Sequence, residues 1–213
     1  MLSIKKWLSG LTAAVVLLCG MLFAGNGSVL TEFFSGVTEM TASADEYTTY
    51  GDLTYAYLDD GTIEITDCDT SVTEAEIPSE IDGVAVTSIG DDAFSYCRTM
   101  TEITIPDSVT SIGDGAFQSC ILLTSFVIPD GVECIGDSVF YYCKGLTTVT
   151  ISQNVTSIGI PSFYGCNNLT AIEVDENNEN YSGIDGVLFD KDQSTLITFP
   201  PGKQDISYVI SVK

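Results

Sequence analysis

The residues best suited to chemistry are cysteines that recur at a fixed step of 23 residues, namely Cys97, Cys120, Cys143 and Cys166. Parallel strands in successive repeats lie about 4.8 Å apart, and a disulfide accepts Cα separations of about 4.4 to 6.8 Å, so distance alone permits bridging. Because each cysteine holds an equivalent position in its unit, neighbouring Cβ atoms point the same way. We therefore predict buried thiols that pack as small apolar groups. Cys134 stands in a column of serines, and we expect it to be the most reactive thiol.

A column of acidic residues has the same step and consists of Asp91, Asp114 and Asp137. Their carboxylates would suit a hard cation shared between units, since Ca²⁺ takes oxygen ligands at about 2.3 to 2.6 Å. The same aspartates are good N-cap acceptors for a short helical turn, and we favour this second interpretation. A zinc site is not expected, because the chain has no histidine and no closely paired cysteines. We predict no metal and no other cofactor.

The sequence contains few of the residue combinations that catalysis requires. Without histidine the chain cannot form Ser-His-Asp or Cys-His arrangements. A glycosidase needs two carboxyl groups about 5 to 9.5 Å apart across a cleft. Glu102 and Glu173 lie on the expected strand face but three units apart, about 14 Å at the strand spacing. We therefore predict that the protein is not an enzyme.

Binding is the remaining chemistry, and two surfaces are candidates. The first is the outward face of the main strands, which we call the outer face. Its residues are Glu102, Thr104, Ser125, Val127, Thr148, Thr150, Ala171 and Glu173. A column of threonines, Thr101, Thr124, Thr147 and Thr170, stands at the start of these strands. The second is a group of tyrosines after the phenylalanine column, which contains Tyr96, Tyr141, Tyr142 and Tyr164. Threonine is also good strand chemistry, and the tyrosines would equally serve to pack between units, so both interpretations stay open.

Four segments position these residues. They read SIGDDAFSYCRTMTEITIPDSVT, SIGDGAFQSCILLTSFVIPDGVE, CIGDSVFYYCKGLTTVTISQNVT and SIGIPSFYGCNNLTAIEV. Isoleucine, phenylalanine and cysteine each form a column, the pattern of a solenoid whose units bury apolar side chains only against their neighbours. Ile103 and Ile105 predict a strand that Pro106 ends, Ile112 lies in a second short strand, and Asp114 opens a short helical turn.

The ends of the chain differ from these units. Two alternating runs around Asp59–Thr62 predict a β-hairpin that caps the first coil over residues 45–67. A degenerate unit starts at Cys68 and matches Ile77-Pro78 to Ile105-Pro106, so we place the repeats at residues 68–174. Residues 175–213 form an irregular repeat with a hairpin insertion. Tyr208–Ser211 restarts the strand position of a repeat, and we expect an uncovered last strand unless the hairpin folds back over it.

The first residues resemble an export signal. Lys5 and Lys6 precede an apolar run from Leu8 to Ala24, and Ala42-Ser43-Ala44 offers a cleavage site. We therefore predict a signal peptide over residues 1–44 and a single mature domain over residues 45–213 that does not insert into a membrane. The formal net charge of −23 repels nucleic acid and anionic lipid.

The order F-x-x-C-x-x-L-x-x-I-x-I-P-x-x-V-x-x-I-G, carried by Phe117 to Gly136, resembles the BspA-like leucine-rich-repeat family. The resemblance implies a mostly β leucine-rich-repeat solenoid of the α/β repeat class, in bacterial proteins that are secreted or displayed on the cell surface and associated with adhesion to host proteins or other cells. We predict a non-catalytic adhesion module that recognises an extracellular protein through the repeat sheet. A carbohydrate-associated module using the tyrosines, or a fragment of a larger surface protein, is the alternative, and a structural spacer is the third.

Overall fold

A computed structural model describes residues 48–204, and the predicted signal peptide and the strand expected at Tyr208–Ser211 lie outside the described residues. The strands are β1 (Thr48–Tyr50), β2 (Leu53–Tyr57), β3 (Ile63–Cys68), β4 (Glu74–Glu76), β5 (Glu80–Ile81), β6 (Val84–Ile89), β7 (Glu102–Thr104), β8 (Ser111–Ile112), β9 (Ser125–Val127), β10 (Cys134–Ile135), β11 (Thr148–Ile151), β12 (Ser157–Ile158), β13 (Ala171–Val174), β14 (Tyr181–Ile184), β15 (Val187–Asp190) and β16 (Leu196–Thr198). They coil into a mostly β solenoid, as the repeats predicted.

The solenoid has strands on two of its sides. On one side β6, β8, β10 and β12 pair in parallel, with Ile89, Ile112, Ile135 and Ile158 in register. On the other side the main strands form two separate sheets, β4-β7 and β9-β11-β13. Each unit therefore contributes one main strand and one short strand, in the order that the isoleucine and valine spacing predicted.

The core lies between these sides and is organised by the phenylalanine column. Successive rings of Phe94, Phe117, Phe140 and Phe163 stack with centroids 5.2, 6.0 and 5.6 Å apart and planes within 16° of parallel. Phe126 enters from β9 and contacts two of these rings, at 4.9 Å from Phe117 and 4.8 Å from Phe140. Aromatic pairs at such separations stabilise beyond their buried area, so the column fixes the register of the coils.

The helical turn predicted after each aspartate is wrong, because residues 48–204 contain no helix. Asp92 and Tyr96 have φ angles of 56° and 60°, and a left-handed residue breaks a helical path. The backbone N–H of Phe94 donates to Ala116 O in the next coil at 2.8 Å, and the N–H of Tyr96 donates to Gln118 O at 2.7 Å. These segments are turns whose backbone hydrogen bonds run along the solenoid axis.

The hairpin predicted before the repeats is present. Strands β2 and β3 pair antiparallel, and β3 then pairs in parallel with β6, the first short strand of the repeats. Asp60 Oδ1 accepts hydrogen bonds from the N–H and hydroxyl of Thr62 at 2.9 and 2.7 Å, which closes the turn. Ile63 and Ile65 are fully buried, so this hairpin shares the core of the solenoid.

The register of the repeats extends further than the sequence suggested. Asn178 stands 23 residues after Val155, in the column of Val109 and Val132, although we expected the period to be interrupted there. Its Nδ2 donates to Ser152 O at 2.8 Å and to Val155 O at 3.1 Å. The coil therefore continues to Asn178 before the chain leaves it.

The predicted hairpin insertion is present and larger than expected, with β14, β15 and β16 forming an antiparallel sheet. Its first turn, Asp185-Gly186, has φ angles of 50° and 75°, which suit a tight hairpin. Gly186 O accepts a hydrogen bond from Ile172 N at 2.8 Å, and Leu188 is buried in the core. The hairpin thus folds back onto β13, the last main strand of the repeats.

The turn between β15 and β16 gives a prediction about pH. The backbone N–H of Thr195 and the hydroxyl of Ser194 donate to the Asp190 carboxylate at 2.9 and 2.7 Å and lower its pKa to about 2. Because the folded pKa is depressed, this carboxylate stabilises the turn above the ordinary value of 3.8 and loses that effect as pH falls through about 2. Carboxyl NMR titration should find the low midpoint, and Ser194→Ala should raise it. A wild-type midpoint near 3.8 would contradict the assignment.

Candidate functional site

The structure divides the predicted outer face between two sheets. Glu102 and Thr104 belong to the β4-β7 sheet, whereas the other six residues belong to the β9-β11-β13 sheet. On the larger sheet Val127 is 67 % exposed, and Thr148 opposes Ser125 and Ala171 in parallel register. The outer face is therefore two patches, and its charged ends, Glu102 and Glu173, lie on different sheets.

Two acidic residues of this region were missed from the sequence. Strand β4 places Glu74 directly opposite Glu102 and Glu76 opposite Thr104, and all four side chains are exposed. Glu102 and Glu173 are therefore not the only acids on the main strands. The match of Ile77-Pro78 to Ile105-Pro106 contained this signal, because it aligns the two strands residue by residue.

The threonine column stabilises the stack of coils. Thr147 Oγ1 donates to Thr124 O at 2.9 Å, and Thr170 Oγ1 donates to Thr147 O at 3.2 Å. Thr101 makes the same contact with Thr73 O at 3.0 Å. These hydroxyl protons are used between coils, which favours the structural interpretation of the column over ligand binding.

The predicted tyrosines lie together on the turns that follow the phenylalanine column. We define these turns as the tyrosine flank, residues 95–99, 118–122, 141–145 and 164–168. Tyr141 stacks on Tyr164 with centroids 5.3 Å apart, and Tyr142 meets both rings edge-on at 4.7 and 5.8 Å. Loss of solvent around its hydroxyl, together with the neighbouring tyrosines, raises the pKa of Tyr141. The three rings form one surface cluster.

Tyr96 and Tyr142 occupy the same position of coils two apart, and both have φ of 60°. Their exposed fractions are 48 % and 38 %. A left-handed backbone is a marked outlier for a bulky residue, and the equivalent position of the next coil is Gly165, with φ of 80°. The fold therefore holds two tyrosines outward at a position where glycine would be relaxed.

A basic residue lies two positions after each of these tyrosines, Arg98 after Tyr96 and Lys144 after Tyr142. The backbone N–H of Arg98 donates to Tyr96 O at 2.7 Å, and that of Lys144 donates to Tyr142 O at 2.8 Å, so each cation follows a tight turn around a cysteine. The Arg98 guanidinium lies 5.4 Å from the centroid of Tyr96, and Lys144 Nζ lies 5.7 Å from that of Tyr142. Both are cation–π distances. The repeat pattern indicated the tyrosines but gave no sign of the cations beside them.

The cysteine column is buried and unbridged. Cys97, Cys120, Cys143 and Cys166 are fully buried free thiols, as predicted. The Sγ atoms of the last three donate to the carbonyl oxygens of Phe94, Phe117 and Phe140 at 3.0 to 3.1 Å. Burial raises the pKa of Cys166 to about 12. The hydrogen bonds of Cys120, Cys143 and Cys166 join neighbouring coils.

Cys134 is the exception, because it is exposed on β10 between Ser111 and Ser157. We expect iodoacetamide to alkylate Cys134 in the native protein, while the column cysteines react only after denaturation, since thiolate formation requires solvent access. Peptide mass spectrometry before and after urea treatment would test this. Alkylation of the column in the native state would contradict the buried assignment, and Cys134→Ser supplies the control.

The aspartate column does not cap helices. Asp91 Oδ1 accepts a hydrogen bond from Asp114 N at 2.8 Å, and Asp114 Oδ1 accepts one from Asp137 N at 2.7 Å. A Cβ added at Gly136 would lie 2.4 Å from Asp114 Oδ1, so glycine is needed where the carboxylate crosses to the next coil. In the part of the chain that the structure describes, no group of three or more His, Cys, Asp or Glu side chains is arranged to hold a metal ion.

Two further surface features lie at the N-terminal end of the solenoid. Two shallow clefts of about 280 and 180 Å³ lie beside the N-terminal hairpin and share Asp52, Leu53 and Cys68 in their linings. Neither is lined by a residue of the tyrosine flank, but the second is lined by Glu74 and Glu76 of β4, which lie opposite Glu102 and Thr104. Within residues 48–204, no helix is long and apolar enough to span a bilayer.

Comparison with known proteins identifies the repeats. The sequence profile of the BspA type leucine rich repeat region matches residues 68–209 in six copies. No curated protein matches the chain.

Solved structures of bacterial leucine-rich-repeat proteins are similar to this chain. One from Bacteroides capillosus is 30 % identical, with a TM-score of 0.53, covering 61 % of this chain and 98 % of that chain. The T. pallidum leucine rich repeat protein is 25 % identical, with a TM-score of 0.51, covering 60 % and 71 %. One from Eubacterium ventriosum is 25 % identical, with a TM-score of 0.51, covering 75 % of this chain and about half (51 %) of that chain. With six repeat copies matched over two thirds of its length and the phenylalanine and cysteine columns stacked as the repeat requires, the chain belongs to the BspA-type leucine-rich-repeat family.

Proposed function

We propose that the protein is a non-catalytic binding module of the cell surface or extracellular space, and that its ligand is a protein. Three observations support this. The chain belongs to a family of repeat proteins associated with bacterial surfaces. Its first residues have the pattern of an export signal. Its described surface combines exposed tyrosines and an arginine, residue types enriched where proteins bind proteins.

The observation that carries the proposal is the backbone of Tyr96 and Tyr142. A left-handed conformation costs a non-glycine residue about 1 to 2 kcal/mol, and neither tyrosine recovers this by burial. Ser119 and Gly165 have φ of 61° and 80° at the same position, so the turn belongs to the repeat, and glycine would form it without strain. What the two tyrosines add is a large, partly exposed aromatic side chain, the kind of residue that contributes most to protein interfaces. The tyrosine flank is therefore the leading contact surface, and the adjoining outer face of β9, β11 and β13 extends it.

The test uses a pair of variants that separates binding from folding. Tyr96→Gly/Tyr142→Gly relieves the left-handed backbone, so we expect the urea midpoint to be unchanged or raised. Binding to a panel of purified extracellular matrix and plasma proteins, followed by surface plasmon resonance, should fall at least tenfold because two hot-spot side chains are removed. Tyr57→Ala, an exposed tyrosine on the N-terminal hairpin, is the matched control.

The same panel distinguishes the two surfaces. Binding that survives Tyr96→Gly/Tyr142→Gly but is lost in Glu102→Ala or Glu173→Ala would move the site to the outer face, where we first expected it. A wild-type protein that binds no member of the panel would contradict a general matrix adhesin.

Carbohydrate is a second candidate, favoured by Tyr164. This ring is 56 % exposed, and stacking on Tyr141 holds it rigid, as in an aromatic platform for a sugar. A glycan array should then show binding that Tyr164→Ala abolishes and that Tyr57→Ala does not affect. An array without signal would leave protein as the ligand.

The N-terminal hairpin has a structural role in the proposal. We propose that β2 and β3 cap the solenoid, because they bring Ile63 and Ile65 over the first coil, where Ile89 would otherwise meet solvent. Ile65→Asp should expose this end and increase binding of an apolar dye such as ANS. Unchanged dye binding and stability would count against a cap.

A further inference from the structure

We propose that the tyrosine flank binds an acidic segment of the protein ligand, with Arg98 and Lys144 pairing with its carboxylates. This inference rests on the proposed function and names the chemistry of the partner.

The charge of the flank is opposite to that of the molecule. The chain contains 30 acidic and 7 basic residues, yet residues 95–99, 118–122, 141–145 and 164–168 contain no aspartate or glutamate. Four basic residues lie within residues 48–204, and two of them, Arg98 and Lys144, are on this flank. At physiological ionic strength charges are screened beyond about 8 Å, so a ligand at the flank responds to these local cations more than to the net charge.

Neither cation is used by the fold for an ion pair. Within residues 48–204 the contacts of the Arg98 and Lys144 side chains are with the rings of Tyr96 and Tyr142, and neither pairs with a carboxylate. By contrast, Lys191 Nζ donates to Asn178 O and Glu176 O and holds the C-terminal hairpin. Arg98 and Lys144 are therefore held in place by aromatic rings while their charge stays available to a ligand.

The spacing of the cations fits a peptide. Arg98 and Lys144 are two coils apart, about 10 Å at the separation of stacked strands. A polyproline II segment has three residues per turn and rises about 3.1 Å per residue, so carboxylates three residues apart project from the same side and span about 9.3 Å. The surface between them carries Ser119 and the 49 % exposed Leu122, a small polar and an apolar contact for the intervening residues.

A peptide is favoured over an anionic polysaccharide because of the ring faces. Arg98 covers a face of Tyr96, and Tyr142 lies between Lys144 and Gly165, where an added Cβ would be 3.0 Å from the ring. Both rings are therefore partly occupied, which leaves less ring surface on which a sugar would stack. Their hydroxyl groups and the adjacent cations instead suit carboxylates, which accept charge-assisted hydrogen bonds.

The experiment uses two fluorescein-labelled peptides, one with glutamate at every third position and a counterpart with glutamine. Fluorescence anisotropy at physiological ionic strength should show that the glutamate peptide binds and that its counterpart binds at least tenfold more weakly. Arg98→Gln and Lys144→Gln should each weaken the glutamate peptide about tenfold, the effect of one hydrogen bond to a charged group. Gln193→Glu, at an exposed position in the turn between β15 and β16, lowers the net charge equally away from the flank and should leave binding unchanged.

Three results would overturn the inference. The first is equal affinity for the two peptides, or none for either, and the second is an equal effect of Gln193→Glu and Lys144→Gln. The third is tighter binding of a sulfated polysaccharide than of the glutamate peptide. The inference and the proposed function can fail separately. If protein binding requires Tyr96 and Tyr142 but is unaffected by Arg98→Gln and Lys144→Gln, the binding module is retained and only the acidic partner is rejected.

Discussion

Replacing Phe117 with alanine is expected to lower the free energy of unfolding by about 3 to 5 kcal/mol, the largest effect of any single truncation considered for this chain. Phe117 is fully buried, and its ring contacts Phe94, Phe126 and Phe140 with centroids 5.2, 4.9 and 6.0 Å away. Truncation removes aromatic contacts to both neighbouring coils at once. Because repeat stability depends on the interfaces between neighbours, this loss should weaken the array on both sides. Urea denaturation followed by circular dichroism measures it.

Two variants make this result specific. Phe117→Leu keeps most of the volume and should recover more than half of the lost stability. Val127→Ala truncates an apolar side chain that is 67 % exposed, and its effect should stay within about 0.5 kcal/mol. A Phe117→Ala variant as stable as Val127→Ala would mean that the phenylalanine stack does not hold the coils in register.

The sequence predicted most of the fold because a fixed step of 23 residues lets one unit explain the next. Cys120 could be assigned to the core from its column alone, since equivalent residues in a solenoid share an environment. The role of Asp114 was harder, because a column does not say whether a side chain bonds its own coil or the next. The carboxylate reaches Asp137 N in the following coil, and the expected helix does not form. Direction along the solenoid axis was the missing information.

The candidate site was predicted less well, for two physical reasons. The insertion around Asp82-Gly83 changes the step to 28 residues and hides the pairing of Glu74 with Glu102. The left-handed backbone of Tyr142 depends on hydrogen bonds to the next coil, which no local preference of tyrosine suggests. Gly165 in the same column as Tyr96, Ser119 and Tyr142 was the available signal, because a glycine in a column often marks a position that favours positive φ.

Replacing Asn178 with valine provides the strongest test of this reasoning about columns. Val109, Val132 and Val155 occupy the same position in the preceding coils. Since a change to the consensus residue commonly stabilises a protein by about 0.5 to 2 kcal/mol, the repeat alone predicts that Asn178→Val is stabilising. The hydrogen bonds predict the opposite. Asn178 is fully buried, and its Oδ1 accepts from Asn180 N and Tyr181 N at 2.8 Å each, while its Nδ2 donates to two carbonyls.

We expect Asn178→Val to lower the free energy of unfolding by about 3 kcal/mol, because valine removes the buried hydrogen bonds from Nδ2 to Ser152 O and Val155 O and the Oδ1 acceptor of Asn180 and Tyr181 N–H. Each buried polar group left unsatisfied costs about 1 to 3 kcal/mol. Urea denaturation of this variant beside Asn177→Ala, an exposed neighbour, measures the difference. Hydrogen exchange at Asn180 and Tyr181 should accelerate in the first variant only. If Asn178→Val were instead more stable than wild type, apolar packing would govern the column to its end, and the chain would leave the coil at this point for some reason other than the asparagine side chain.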